Sequence, residues 1–101
     1  MILVITQMKV LSEKRMELSQ TIASLSSSIK QEKGCRSCDF CKSIEDQNKL
    51  FLLEDWDNEE KFMAHLKSNN FMVLRGAMSL LKEPSQKIFH TVFHPAGMEE
   101  P

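Results

Sequence analysis

The sequence predicts one α+β domain with the element order β-α-β-β-α-β. Three observations carry this. Strand-like apolar runs occupy residues 1–10, 35–45, 49–56 and 86–93. Stretches with helical spacing fall between the first pair and the last pair of these runs, and turn signals mark the joins. The order is the split βαβ, ferredoxin-like arrangement, with four strands in one sheet and two helical regions on one of its faces. At 101 residues the chain has room for a single hydrophobic core. The expected domain spans residues 1–94, with 95–101 as a flexible tail.

Residues 1–10 carry apolar side chains on both parities, Leu3 and Ile5 on one and Ile2, Val4 and Met8 on the other, so the first strand is expected to be buried on both sides. Ser12 is a candidate N-cap for the helix that follows. Leu11, Leu18, Ile22, Leu25 and Ile29 form its apolar stripe, and Gly34 is placed to end it with a positive φ. In 35–45, Cys38, Phe40 and Ile44 share one parity and Cys35, Ser37, Asp39 and Cys41 the other. Asp46, Gln47 and Asn48 signal a turn, so residues 49–56 should return as the antiparallel partner. Asp57 and Glu60 resemble a capping pair ahead of Phe62 and Leu66. Ser68 is placed to cap a second stretch bearing Phe71, Leu74, Met78 and Leu81, which Pro84 ends. Both faces of the strands are apolar, yet the chain has helices for only one. The cheapest cover for the other face is a second copy of the chain, so a homodimer is expected.

Lys plus Arg number 13 and Asp plus Glu 14, a net charge of −1 that leaves no basic excess for tracking a phosphate backbone. Nucleic acid is therefore not an expected partner. The opening apolar run is too short for an export signal or a membrane span, and the expected setting is the cytoplasm. The three glycines, Gly34, Gly76 and Gly97, lie too far apart to build a phosphate loop.

Chemistry concentrates in residues 54–81. His65 lies one turn after Phe62, where a neutral imidazole facing inward could take a proton from a phenol or hydroquinone. Trp56, the single tryptophan, could stack on a planar ligand or pack as a core aromatic. Glu54 shares its parity, and as an inward carboxylate it calls for a partner such as Arg36, Lys42 or Arg75 in a structural ion pair. Cys35, Cys38 and Cys41 form a C-x-x-C-x-x-C run without the fourth cysteine of an iron–sulfur motif. On a strand, Cys35 and Cys38 should point to opposite faces roughly 10 Å apart, too far for a disulfide. His90 and His94 on a strand stand roughly 13 Å apart and cannot share a metal. No metal site is expected.

The stretch EDWDNEEKFMAHLKSNNFMVLRGAMSLL resembles the signature of the antibiotic-biosynthesis-monooxygenase family, through Glu54, Trp56, Glu60, Phe62, His65, Leu66, Ser68 and Phe71. Gly34-Cys35 is similar to the Gly-Cys that opens the second strand in many members. The resemblance implies a dimeric α+β barrel with a small pocket between sheet and helices. Members oxidise aromatic polyketides or reduced quinones with O2 and without metal or flavin, degrade haem, or isomerise small signalling sugars. Arg75 stands where the haem-degrading branch has its ligating histidine, and His65 where that branch has a tryptophan. Leu52 and Phe62 replace the Asn and Tyr of the polyketide-oxidising branch. The quinol-monooxygenase-like members, which share the histidine, are the nearest pattern.

The resemblance thus implies an oxidoreductase with no cofactor, acting on a small aromatic or quinol-like molecule. His65 and Trp56 would be its catalytic pair, and Glu54, Phe62, Phe71 and Met78 would line its pocket. Two alternatives stay open. One is a small-molecule binding or isomerising module on the same barrel, without O2 chemistry. The other is a thiol- or metal-responsive protein centred on the three cysteines.

Overall fold

The structure, a computed structural model, describes residues 1–81 and the backbone of 86–91. Pro84, the residues after 91 and the expected tail at 95–101 lie outside the described residues, as do the side chains of β4. The elements run β1 (Ile2–Lys9), α1 (Arg15–Ile29), β2 (Cys35–Lys42), β3 (Lys49–Trp56), α2 (Glu59–His65), α3 (Asn69–Met78) and β4 (Gln86–Thr91). The sheet order is β2-β3-β1-β4, with every neighbouring pair antiparallel. This is the expected ferredoxin-like α+β fold. Its second helical region is split in two. No described helix is long and apolar enough to cross a membrane.

One face of the sheet makes the core. Val4 and Met8 of β1, Cys38 of β2, and Leu50, Leu52 and Trp56 of β3 pack beneath Leu18, Ile22, Leu25 and Ile29 of α1, Phe62 of α2 and Leu74 of α3. The predicted stripe of α1 is therefore its buried face, except that Leu11 falls before the helix and is exposed. The opposite sheet face, with Leu3, Ile5, Phe51 and Leu53, is only half-buried in the single chain. β1 is thus not buried on both sides by its own chain.

Three local expectations change. Ser12 does not cap α1. Residues Ser12–Lys14 form a 3-10 turn ahead of it, and Lys14 N–H donates to the Leu11 carbonyl at 2.9 Å. The 3-10 bond takes up a donor that a cap would otherwise satisfy. The Ser12 hydroxyl instead accepts from Asn48 Nδ2 at 3.0 Å, tying the turn to the β2–β3 hairpin. Asp57 does not cap α2 either. Its N–H is spent on the Gly34 carbonyl at 2.8 Å and its carboxylate sits 3.7 Å from Arg36, so the next residue, Asn58, accepts from Lys61 N–H at 2.9 Å. Ser68 does cap α3, accepting from Phe71 N–H at 3.1 Å.

The third change concerns the cysteines. β2 carries a register shift between Cys35 and Ser37, which leaves Arg36 without a partner position in the ladder. A bulge of one residue reverses parity. Cys35 therefore pairs with Trp56 and Cys38 with Glu54, both on the core-facing side. The expectation that Cys35 and Cys38 point to opposite faces is wrong for that reason.

Gly34 has φ +90° as predicted, although α1 ends earlier, at Ile29, and the glycine instead turns the chain into β2. A Cβ on Gly34 would also run into the Lys61 side-chain stem, whereas one on Gly76, in α3, would meet open space. Urea unfolding should therefore give opposite signs. Gly34→Ala is expected to destabilise by about 1–2 kcal/mol or more, and Gly76→Ala to stabilise by about 1 kcal/mol.

Candidate functional site

The end of β3 and the short helices beyond it build one polar cluster inside the apolar layer. Glu54 and Trp56 share a strand face, two residues apart, so their side chains stand side by side. Trp56 Nε1–H donates to Glu54 Oε1 at 3.0 Å. His65, on the last turn of α2, lies beside them, its ring centroid 4.6 Å from that of Trp56. Its Nε2 is 3.4 Å from Glu54 Oε1, and its Nδ1 is 3.0 Å from both oxygens of Glu32. Asn70 Nδ2, on the first turn of α3, donates to Glu32 Oε2 at 2.9 Å. Phe71 sets its edge on the imidazole at 5.5 Å, and Phe62 lies 6.3 Å from it.

Burial grades across this cluster. The side chains of His65 and Glu54 are 1% and 4% exposed, whereas Glu32 keeps 18% of its surface open. Glu32 is thus the end of the cluster nearest solvent. Polar groups this deep are costly unless they bond to one another, and each side chain here does so, although the Nε2 atom of His65 has no hydrogen bond.

Of the residues the sequence singled out, His65, Trp56, Glu54, Phe62 and Phe71 come together here. Met78 lies about two turns further along α3, half-buried against the core. Trp56 is fully buried, with its ring against His65 and its N–H on Glu54. Of the cations expected beside Glu54, Arg36 lies outside the core layer, 4.0 Å from Asp55 and 3.7 Å from Asp57, and Lys42 and Arg75 are exposed. Sequence reasoning missed Glu32 and Asn70. Glu32 belongs to no stripe and no capping pattern, and 33 residues separate it from His65. Its one local signal is its place just before Gly34-Cys35, where the chain must turn at the mouth of the sheet.

The thiols feel the same carboxylates. Burial first, then the charges of Glu54 and Glu32, pushes Cys35 up to about 11, and burial with Glu54 pushes Cys38 up to about 12. Protonated thiols are poor nucleophiles and poor metal ligands. Among the described residues no three His, Cys, Asp or Glu side chains converge to hold a metal ion. A separate recess of about 450 Å³ between α1 and the β2–β3 hairpin, lined by Arg15, Ser19 and Lys42 among others, contains none of the cluster.

The model of the family described as antibiotic biosynthesis monooxygenase matches residues 1–75. The chain belongs to this family. The match spans both central strands, the turn that bears Glu32 and the cluster residues of α2 and α3. No curated protein matches it significantly. Its fold is that of a Nitrosomonas europaea protein, 17% identical over 93% of this chain and 100% of that one, with TM-score 0.87. It is likewise that of a Deinococcus radiodurans protein, 15% identical over 99% and 100% of the two chains, with TM-score 0.85. A Mycobacterium tuberculosis protein, 22% identical over 95% and 98%, also superposes with TM-score 0.85. The first two are described as candidate antibiotic biosynthesis monooxygenases.

The raised thiols set an alkaline limit. In the unfolded chain a cysteine titrates near 9.0, whereas folded Cys38 holds its proton up to about 12. Above pH 9.0 the unfolded state therefore binds fewer protons than the folded one, and stability falls as pH rises through that window. Urea unfolding between about pH 8 and about pH 11 should show this fall. In Cys38→Ala the starting stability should be lower but the slope shallower.

Proposed function

We propose that this protein is a cofactor-independent monooxygenase-like enzyme that oxidises a small quinol or phenol with O2. The observation that carries the proposal is the buried His65 imidazole held between the Glu32 and Glu54 carboxylates. A hydroquinone reacts with O2 far more readily once it has lost a hydroxyl proton, because the anion is the better electron donor. His65 takes that proton, and the two flanking carboxylates stabilise the resulting imidazolium. In the net reaction one oxygen atom enters the ring and the other leaves as water, with the quinol supplying both electron pairs. Trp56 holds Glu54 in place, and Phe62, Phe71 and Met78 supply apolar wall for a flat ligand.

The catalytic unit is residues 1–94, working as a homodimer. Leu3, Ile5, Phe51 and Leu53, half-exposed on the helix-free face, support a second copy packing sheet to sheet. Leu53 pairs with Ile5 on one side and Asp39 on the other, at the middle of that face. Sedimentation equilibrium should give twice the 11.7 kDa chain mass, and Leu53→Arg should return the chain to a monomer. A monomeric wild type at micromolar concentration would exclude the dimer.

The same proton transfer without O2 would make the protein an isomerase or a binding module, and oxygen uptake separates the two. With a panel of reduced quinones, uptake above the autoxidation background is expected. It should fall about 100-fold or more in His65→Ala. Uptake that persists in the variant removes His65 from the reaction, and no excess uptake across the panel leaves proton transfer alone.

A further inference from the structure

We propose that Glu32, braced by Asn70, is the positioning residue that fixes the tautomer of His65 and makes Nε2 its proton-accepting atom. Its consequence for turnover rests on the reading of His65 as a base; its consequence for the ring does not.

An ionised carboxylate can only accept hydrogen bonds. Both Glu32 oxygens lie 3.0 Å from Nδ1, so Nδ1 carries the hydrogen and donates to them. A neutral imidazole has one N–H, and Nε2 is then left with its lone pair. Among the described residues Nε2 is a buried polar atom without a hydrogen bond. Glu54 Oε1, at 3.4 Å, is misaligned for one but close enough to stabilise a proton once Nε2 has taken it. The order is orienting carboxylate, imidazole, stabilising carboxylate. In the step itself the ligand O–H bond breaks, its electron pair stays on the ligand oxygen, and the proton forms the Nε2–H bond.

Glu32 is built to hold this position. Its N–H donates to the Ile29 carbonyl at 3.0 Å and its carbonyl accepts from Cys35 N–H at 3.1 Å, so the backbone on both sides is fixed. Asn70 Nδ2 takes Oε2 at 2.9 Å from a helix that Ser68 caps. A purely structural tie would need the same contacts but would not require either nitrogen to stay bare.

The test uses the full chain with 15N-labelled histidine. Side-chain nitrogen–proton correlations are recorded at about pH 8, where an ordinary histidine is neutral. The His65 signals are identified by their loss in His65→Ala. The expected wild-type ring is protonated at Nδ1 and bare at Nε2. In Glu32→Gln the amide oxygen stays with Asn70 Nδ2 and the amide NH2 faces Nδ1, which must then accept, so the proton is expected to move to Nε2. Asn70→Ala is expected to keep the Nδ1–H tautomer but broaden its signal. With a reduced quinone, Glu32→Gln should lower kcat about 100-fold or more and change KM less than about threefold, and Glu32→Asp should restore part of the loss. A wild-type ring protonated at Nε2, alone or at both nitrogens, overturns the assignment, whether or not the Glu32 and Asn70 variants fold. An unchanged tautomer in folded Glu32→Gln overturns it too. If no quinol is turned over, the ring spectra still decide the role of Glu32, while the oxidation reading fails by itself.

Discussion

The Glu32 carboxylate reaches from the turn after α1 to the imidazole of His65 and the amide of Asn70, joining segments 33 and 38 residues away in sequence. A histidine buried to 1% would be costly among Leu, Phe and Trp side chains if its ring nitrogens had no polar neighbours. The surrounding structure supplies them. Gly34, with its positive φ, turns the chain so that the residues before it lie over the end of α2. Asn58 and Ser68 each start a short helix, and the break between α2 and α3 lets His65 and Asn70 approach the same carboxylate. One uninterrupted helix would set the two residues, five positions apart, on different sides of its axis.

The electrostatics of the cluster assign chemistry by exclusion. Burial, with the charge of Glu54 beside both and of Glu32 beside Cys35, holds Cys35 and Cys38 as neutral thiols, which removes them as nucleophiles near neutral pH. The imidazole of His65 lies between Glu32 and Glu54, one at each ring nitrogen. The proposed hydroxylic ligand is uncharged, so its binding would bring no net negative charge near Glu32 and Glu54.

Much of this was legible in the residues. The stripe Leu18, Ile22, Leu25 and Ile29, the alternation in β3, the Ser68 cap and the positive φ of Gly34 each follow from a local rule, and each stands in the structure. His65, Trp56 and Glu54 were legible as candidates through spacing and family resemblance. The misplacements share a cause. Ser12 and Asp57 are competent caps by composition, but tertiary partners, Asn48 for one and Gly34 and Arg36 for the other, hold them elsewhere. Strict alternation puts Cys35 on the wrong face, because a bulge at Arg36 leaves no mark in the period-two pattern.

What the sequence by itself determined is the order of strands and helices, the face each turns to the core, and the aromatic and titratable residues available there. These depend on periodicity and on contacts a few residues apart. The tertiary structure alone decided that Glu54 answers to Trp56 and His65, that Cys35 joins the core layer, and that Glu32 completes the cluster. Such pairings join positions with no local relation. They are chosen by which buried polar atoms can reach one another once the sheet has formed, because in an apolar layer an unpartnered polar atom is costly.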